Sequence, residues 1–523
     1  MPGKTLYYFA VGGTGALTVE PLLILCAAGL GPPRLAITLI DADAGNPAFG
    51  RALALLKSYE EVRTSFGSPE SGFFSTALIR TKRSEAVWSP LGTDEAAQGG
   101  GSTSLADFVE KARMTGEDED AGALLDLLFS AEQQRERLRE GFRGNPAIGS
   151  VLMHGLRKSD YFRGLKSSFT GDSESAFFVA GSVFGGTGAA ALPVVAQILV
   201  AEGIAPSRIG AALMTPYYSL TPPSKAEQQN GRLKPDSDVF LLNTAAALPT
   251  YTQGNSEYGT LYVLGDQESL AQPRKVYSAG GPPQTNDPHG VEMFAALATL
   301  DFSGREERSE VSKHYYATIG NREPSWGDLP MSLDARATLR DFFLASNFFL
   351  HYFKATRTAI EQQDLEKSLK AAAWLDQIGL KADFVRENAA AMNRLGGFFA
   401  NVWAYLHAIT TNFVPMRLVS FAEPSAVRLA MPGEYASAVD VTEFALPMVE
   451  NCLEGYDARR RKRFGFSTKE ADRLEGADEY FSWFNQVPRT DAKGLPGFLR
   501  YLHEGTHLFA EQWYSVSGNR QGR

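Results

Sequence analysis

Apolar positions in the first third of the sequence fall into short blocks of alternating character. Leu6–Val11 is a compact run rich in β-formers, Gly12-Gly13-Thr14-Gly15 follows it, and residues 17–28 carry helical spacing. Leu35–Ile40 is a second apolar run closing on Asp41-Ala42-Asp43. Strand, glycine turn, helix and strand make one βαβ unit, which belongs in a parallel sheet. Residues 44–104 read as irregular, and residues 123–140 as a helix with Leu124, Leu127 and Leu128 on its apolar face behind the acidic cluster Glu117–Asp120. A second block repeats the scheme: strand 176–180, glycine-rich turn 181–188, apolar helix 189–201, strands at 209–214 and 261–264, and residues 239–242 leading into Asn243. Beyond Trp326 the period changes to long helical patterns at 332–353, 360–378 and 383–408. The pattern predicts a three-layer α/β domain with a mainly parallel sheet over residues 1–330 and a mainly helical C-terminal domain over 331–523.

Composition narrows the class. The 523 residues carry 51 Lys+Arg against 60 Asp+Glu, a net charge of −9, which argues against a nucleic-acid coat. Hydrophobic residues at 44% and charged residues at 21% are globular values. Cys26 and Cys452 cannot build a disulfide framework, and no apolar stretch approaches the ~20 residues of a membrane span. With no leader pattern evident, a cytoplasmic protein is expected.

The chemistry lies in the two glycine turns. A glycine turn between a strand and a helix lets backbone approach a phosphate at the helix N-terminus, where N–H donors are free and the dipole is positive. Gly12–Gly15 lacks the third glycine of a dinucleotide fingerprint, because Thr18 stands there. Asp41 and Asp43 could serve a ribose, hold a metal through water, or cap the loop that follows. Gly181-Ser182-Val183-Phe184-Gly185-Gly186-Thr187-Gly188 is not a Walker loop, since no Lys-Ser or Lys-Thr follows. One dinucleotide fold needs one such turn; two suggest phosphates lying across several helix N-termini, or else two close strand–helix contacts.

Gly185-Gly186-Thr187-Gly188 resembles the phosphate loop of the tubulin and FtsZ superfamily. The order of motifs around it over about residues 5–305 is similar to a divergent bacterial member. The resemblance implies GTP or GDP as ligand with Mg²⁺, and assembly into filaments or oligomers coupled to hydrolysis. It assigns Gly12, Gly13, Thr14 and Gly15 to a first phosphate loop and Asp41 and Asp43 to a second, with Gly99–Ser102 a looser third. Gly185, Gly186, Thr187 and Gly188 cradle phosphates, Tyr217 or Tyr218 lies near the base, and Asp238 sits in an acidic loop. Asn243 and Asn286 read guanine, Asn286 at the opening of a central helix near 287–303. An Asn amide, donor and acceptor at once, suits that edge; equally, Asn243 could cap a helix and Asn286 form a turn with Asp287.

The family's hydrolytic loop is not recognisable here. After the central helix, Asp328 and Asp334 are the candidates to stand in for it, and each has an ordinary reading as a turn or helix-dipole residue. Two readings therefore stay open beside a GTPase: a non-hydrolysing nucleotide sensor or scaffold whose helical domain meets a protein partner, and a Rossmann-type enzyme using NAD or ATP. His503-Glu504-Gly505-Thr506-His507 matches the zinc-protease pattern, but without a following third ligand it reads as structural. Arg459–Arg463, five consecutive cations, reads as a solvated loop or helix face, or as a grip on nucleic acid, an anionic membrane or an acidic partner.

Overall fold

The computed structural model describes residues 4–43, 46–92, 104–114, 119–136, 138, 142, 145–220, 240–252, 257–266, 275–277, 286–305, 313–315, 328, 332–350, 377–379, 382–411, 484–488 and 491–518. Gly99–Ser102, Asp238, Cys452, the 459–463 run and most of 360–378 lie outside them.

The strands are β1 (Thr5–Val11), β2 (Arg34–Ile40), β3 (Ala77–Ile79), β4 (Val87–Trp88), β5 (Ala176–Ser182), β6 (Ile209–Met214), β7 (Tyr218–Leu220), β8 (Thr260–Leu264), β9 (Lys275–Tyr277) and β10 (Lys313–Tyr315). The main sheet runs β10-β8-β6-β5-β1-β2-β3, with β4 also on β2, and every pairing in it is parallel. Chain order grows outward in both directions from the β1–β5 pair. The connections leaving those two strands therefore pass to opposite faces of the sheet, and the carboxyl ends at such a reversal are where open parallel sheets form a ligand crevice.

The helices used below are α1 (Gly12–Leu17), α2 (Val19–Ala27), α3 (Pro47–Ser65), α4 (Pro146–Met153), α5 (Asp160–Phe169), α6 (Gly186–Ala201), α7 (Phe240–Thr252), α8 (Gly290–Gly304), α9 (Ser332–Phe348), α10 (Ala389–Thr411) and α11 (Gly494–Gly518). Alternation along β1 sends Leu6, Tyr8 and Ala10 into one core and Tyr7, Phe9 and Val11 into the other. The first core is closed by α2, α3, α8, α9, α10 and α11, the second by α4, α5, α6 and part of α7. The result is an α/β fold in three layers. The described elements from residue 332 onward are helical, and α9, α10 and α11 bury aromatic residues in the same core as α2 and α3. No helix among the described residues is long and apolar enough to cross a membrane.

Three elements differ from expectation. Residues 44–104 contain the 19-residue helix α3, whose start is written in Asn46, which accepts from the Ala48 N–H at 2.9 Å, and Pro47 at the first helical position. The helix expected over 123–140 is instead Glu119–Leu128 and Ala131–Arg135, broken where Ser130 and Gln133 form a capping box. Its inward residue is Leu125, while Leu124, Leu127 and Leu128 are 53%, 81% and 62% exposed. The first helix is split at Thr18. Pro21 offers no N–H to the carbonyl four residues back, and the Thr18 hydroxyl caps Gly15 O at 2.6 Å.

Candidate functional site

Both glycine turns lie at the carboxyl ends of the adjacent strands β1 and β5, where the strand order reverses. They touch. Gly12 has φ +72°, and a Cβ there would stand 3.1 Å from the Gly188 nitrogen and 3.4 Å from the Thr187 Cβ. Gly15 seats α1 directly on the sheet, with room for a Cβ only 2.4 Å from Ala180 O and 2.9 Å from Ala10 C. The helix α6 begins at Gly185, in extended backbone, with no side chain capping its first N–H groups. A sixteen-residue helix thus presents its positive end to the crevice beside the first turn.

Side chains bind the two turns to their surroundings. Thr187 donates its hydroxyl to Asp41 Oδ1 at 2.8 Å, joining the second turn to the end of β2. Asp41 is 4% exposed, and burial, helped by the neighbouring Asp43 charge, pushes its carboxyl up to about 7. The Asp43 N–H approaches the same oxygen at 3.3 Å. Asn46 packs over Gly13, its amide nitrogen 2.8 Å from where a Cβ would be. Thr14 Oγ1 lies 3.1 Å from the Tyr218 hydroxyl, which burial raises to about 12. Phe184 meets Tyr218 edge-on at 5.5 Å and Phe240 at 4.6 Å, and Asn243 Nδ2 donates to Phe184 O at 3.1 Å. The loop residues, Asp41, Asp43, Tyr218 and Asn243 are thereby gathered around one crevice.

Other sequence-derived candidates fall elsewhere. Tyr217 is wholly buried, and its hydroxyl donates to Glu292 Oε1 at 3.0 Å. Asn286 lies in the irregular segment just before α8. Asp328 has 3-10 helical backbone, and Asp334 lies in the first turn of α9. Asp238 lies outside the described residues.

Behind Tyr217 is a polar group that the sequence reading passed over. Glu292 also accepts from the His289 N–H at 3.1 Å, His289 Nδ1 accepts from the Val291 N–H at 3.1 Å, and His289 Nε2 is 3.4 Å from Asp266 Oδ2. Burial drives Glu292 up to about 8, with Glu20 adding to the rise and Arg51 opposing it. A signal was present: Glu20 and Glu292 are each the only carboxylate within a strongly apolar stretch. Phe184 and Phe240 carried no signal that separates clasp from core.

The residues of the zinc-like pattern are engaged with neighbouring side chains. His503 packs edge-on against Phe73 at 4.7 Å, and burial lowers its pKa. Glu504 takes Arg500 at 2.6 Å, and His507 Nδ1 meets Asp341 Oδ2 at 2.8 Å. Among the described residues, no group of three or more His, Cys, Asp or Glu could hold a metal ion. Asp41 and Asp43, with the Thr187 hydroxyl, are hard oxygen donors in a place where negative charge is costly. They fit Mg²⁺ as a partial shell, with phosphate oxygens and water completing it. No protein-family model matches the chain, and no curated protein matches it.

Proposed function

We propose that the crevice binds a nucleoside di- or triphosphate, with phosphates over the N-terminus of α6 and the Gly12–Gly15 turn. The single observation that carries the reading is the contact of two glycine turns across the β1–β5 reversal. That is where open parallel sheets accept ligands, and where backbone N–H groups and a helix dipole favour an anion. Asp41 and Asp43 would hold Mg²⁺, which would neutralise phosphate charge beside two carboxylates. Thr14 and Thr187 supply hydroxyls at the turns. The Thr187–Asp41 hydrogen bond ties the second turn to the carboxylate at the end of β2, which supports a site that uses the two together; a Rossmann-type arrangement would keep that carboxylate for a ribose and leave the second turn idle.

Guanine as the base, hydrolysis, and self-association into filaments or oligomers belong to the same proposal, on the tubulin-like order of motifs. The test is GTP turnover and light scattering on one sample over a range of protein concentrations, beside Gly186→Arg. Turnover rising more than linearly with concentration, and lost in the variant, is the expected result. GTP binding without turnover or scattering would leave a nucleotide sensor. Absence of GTP binding would sink the guanine-nucleotide assignment and turn attention to NAD and ATP.

A further inference from the structure

We infer that Asn243 is a positioning residue for the second glycine turn: it holds the Phe184–Gly185 peptide in the orientation that aims backbone N–H groups at an anion. The inference rests on the phosphate-site reading above and extends it, giving Asn243 a task other than recognition of a nucleobase.

The geometry is local. Asn243 Nδ2 donates to Phe184 O at 3.1 Å. In a trans peptide the C=O and the next N–H point in opposite directions. Fixing Phe184 O toward α7 therefore fixes the Gly185 N–H away from it. Gly185 is the cap residue of α6, with φ −84° and ψ 177° and no side chain closing the helix end. Gly185 leaves one side of this peptide plane little intrinsic preference, because it carries no Cβ to restrict rotation about its φ. A turn so built needs an external hold if its donors are to be set before the ligand arrives.

The hold has two points. Phe240, three residues before Asn243 and so on the same face of α7, places its ring 4.6 Å from that of Phe184. One contact grips the side chain of Phe184 and the other its carbonyl. Leu241 and Leu242 point the other way, 61% and 69% exposed, so the inner face of α7 is committed to the turn. Tyr218 carries the hold across to Thr14 in the first turn.

The test measures affinities of GTP, ATP and inorganic tripolyphosphate at fixed Mg²⁺, on the full chain and on Asn243→Ala, Asn243→Asp and Asn243→Gln, with a melting curve for each. Loss of the one hydrogen bond is expected to weaken GTP, ATP and tripolyphosphate by a common factor, about tenfold. The GTP-to-ATP ratio should hold, and Asn243→Gln, which keeps the amide donor, should recover part of the loss. Asn243→Asp should behave like Asn243→Ala, because a carboxylate cannot donate to the carbonyl. A collapse of the GTP preference with tripolyphosphate affinity unchanged would overturn the inference in favour of base reading. A lower melting temperature with unchanged affinity of the folded protein would overturn it in favour of a purely structural role. Failure of the unaltered chain to bind any of the three ligands would remove the phosphate site itself, and the inference with it.

Discussion

Asp41→Asn should make the ligand-free protein more stable, and more so at pH 8 than at pH 5. Asp41 is 4% exposed and its carboxyl is pushed up to about 7, against roughly 4 for an ordinary aspartate. Between those values the folded protein holds a proton that the unfolded chain has released, so stability falls as pH rises. At pH 5 the proton is still bound in the fold; at pH 8 it is gone, and a buried charge remains. Two units of pH at about 1.4 kcal/mol each, less the curvature near the pKa, give a difference of about 2.5 kcal/mol. Asparagine does not titrate, and its Oδ1 still accepts from Thr187. Other titrating groups are shared by both proteins and largely cancel in the comparison. A chain of 523 residues has an unfolding entropy on the order of 1.1 kcal/mol/K, so the melting-temperature gain of the variant should be about 2 °C larger at pH 8. Scanning fluorimetry of both proteins at the two pH values measures it. An equal gain at both, or a smaller one at pH 8, would refute the claim that Asp41 is a costly buried carboxylate.

Two further predictions test the frame around the site. Gly15→Ala places a methyl 2.4 Å from Ala180 O and 2.9 Å from Ala10 C, both backbone, and should cost about 1–3 kcal/mol or prevent folding; Gly50→Ala, inside α3 with nothing within 4 Å, should be neutral or stabilise by up to about 1 kcal/mol in the same denaturation assay. His507 has its pKa raised by the hydrogen bond to Asp341, in surroundings that include Arg340, Glu511, His503 and Glu504. Its contribution is complete below the unfolded value of roughly 6.5 and fades as pH rises through the folded one. The melting-temperature gap between the unaltered chain and His507→Ala should accordingly narrow from pH 6 to pH 9, and a gap that widens would exclude a stabilising charged pair.

The sheet strands around the turns were legible because buried parallel strands are continuous apolar runs, and Leu6–Val11, Ile209–Met214 and Leu261–Leu264 all read that way. The glycine turns were legible as strand-to-helix turns, because such turns bring backbone close to a ligand or to a neighbouring strand, where a Cβ has no room. What the sequence left hidden is contact across distance. Nothing in the spacing places Thr187 against Asp41, or Asn243 against Phe184, because strand order decides both. The helix α3 was hidden by composition: the Gly, Ser and Pro content of residues 44–104 as a whole masked the local start signal of Asn46 and Pro47. The Glu119–Leu128 helix shows the converse limit. Periodicity identifies a stripe of leucines, but the direction in which the stripe points is set by the packing of neighbours, and only Leu125 turned inward.

The shared core has a consequence for how the molecule is made. Phe498 of α11 lies against Phe66, Phe398 of α10 against Tyr59 and Phe74, and Arg394 donates to Ser65, 329 residues earlier. During synthesis the aromatic surface of residues 59–74 emerges long before the helices that cover it. Loop-closure entropy makes such distant pairings slow, and an apolar surface exposed in the meantime is prone to stick. Nascent chains arrested before α10 should therefore hold an uncovered aromatic surface at Tyr59, Phe66 and Phe74. They are the natural clients of a chaperone, and release of the finished chain should coincide with the docking of α10 and α11.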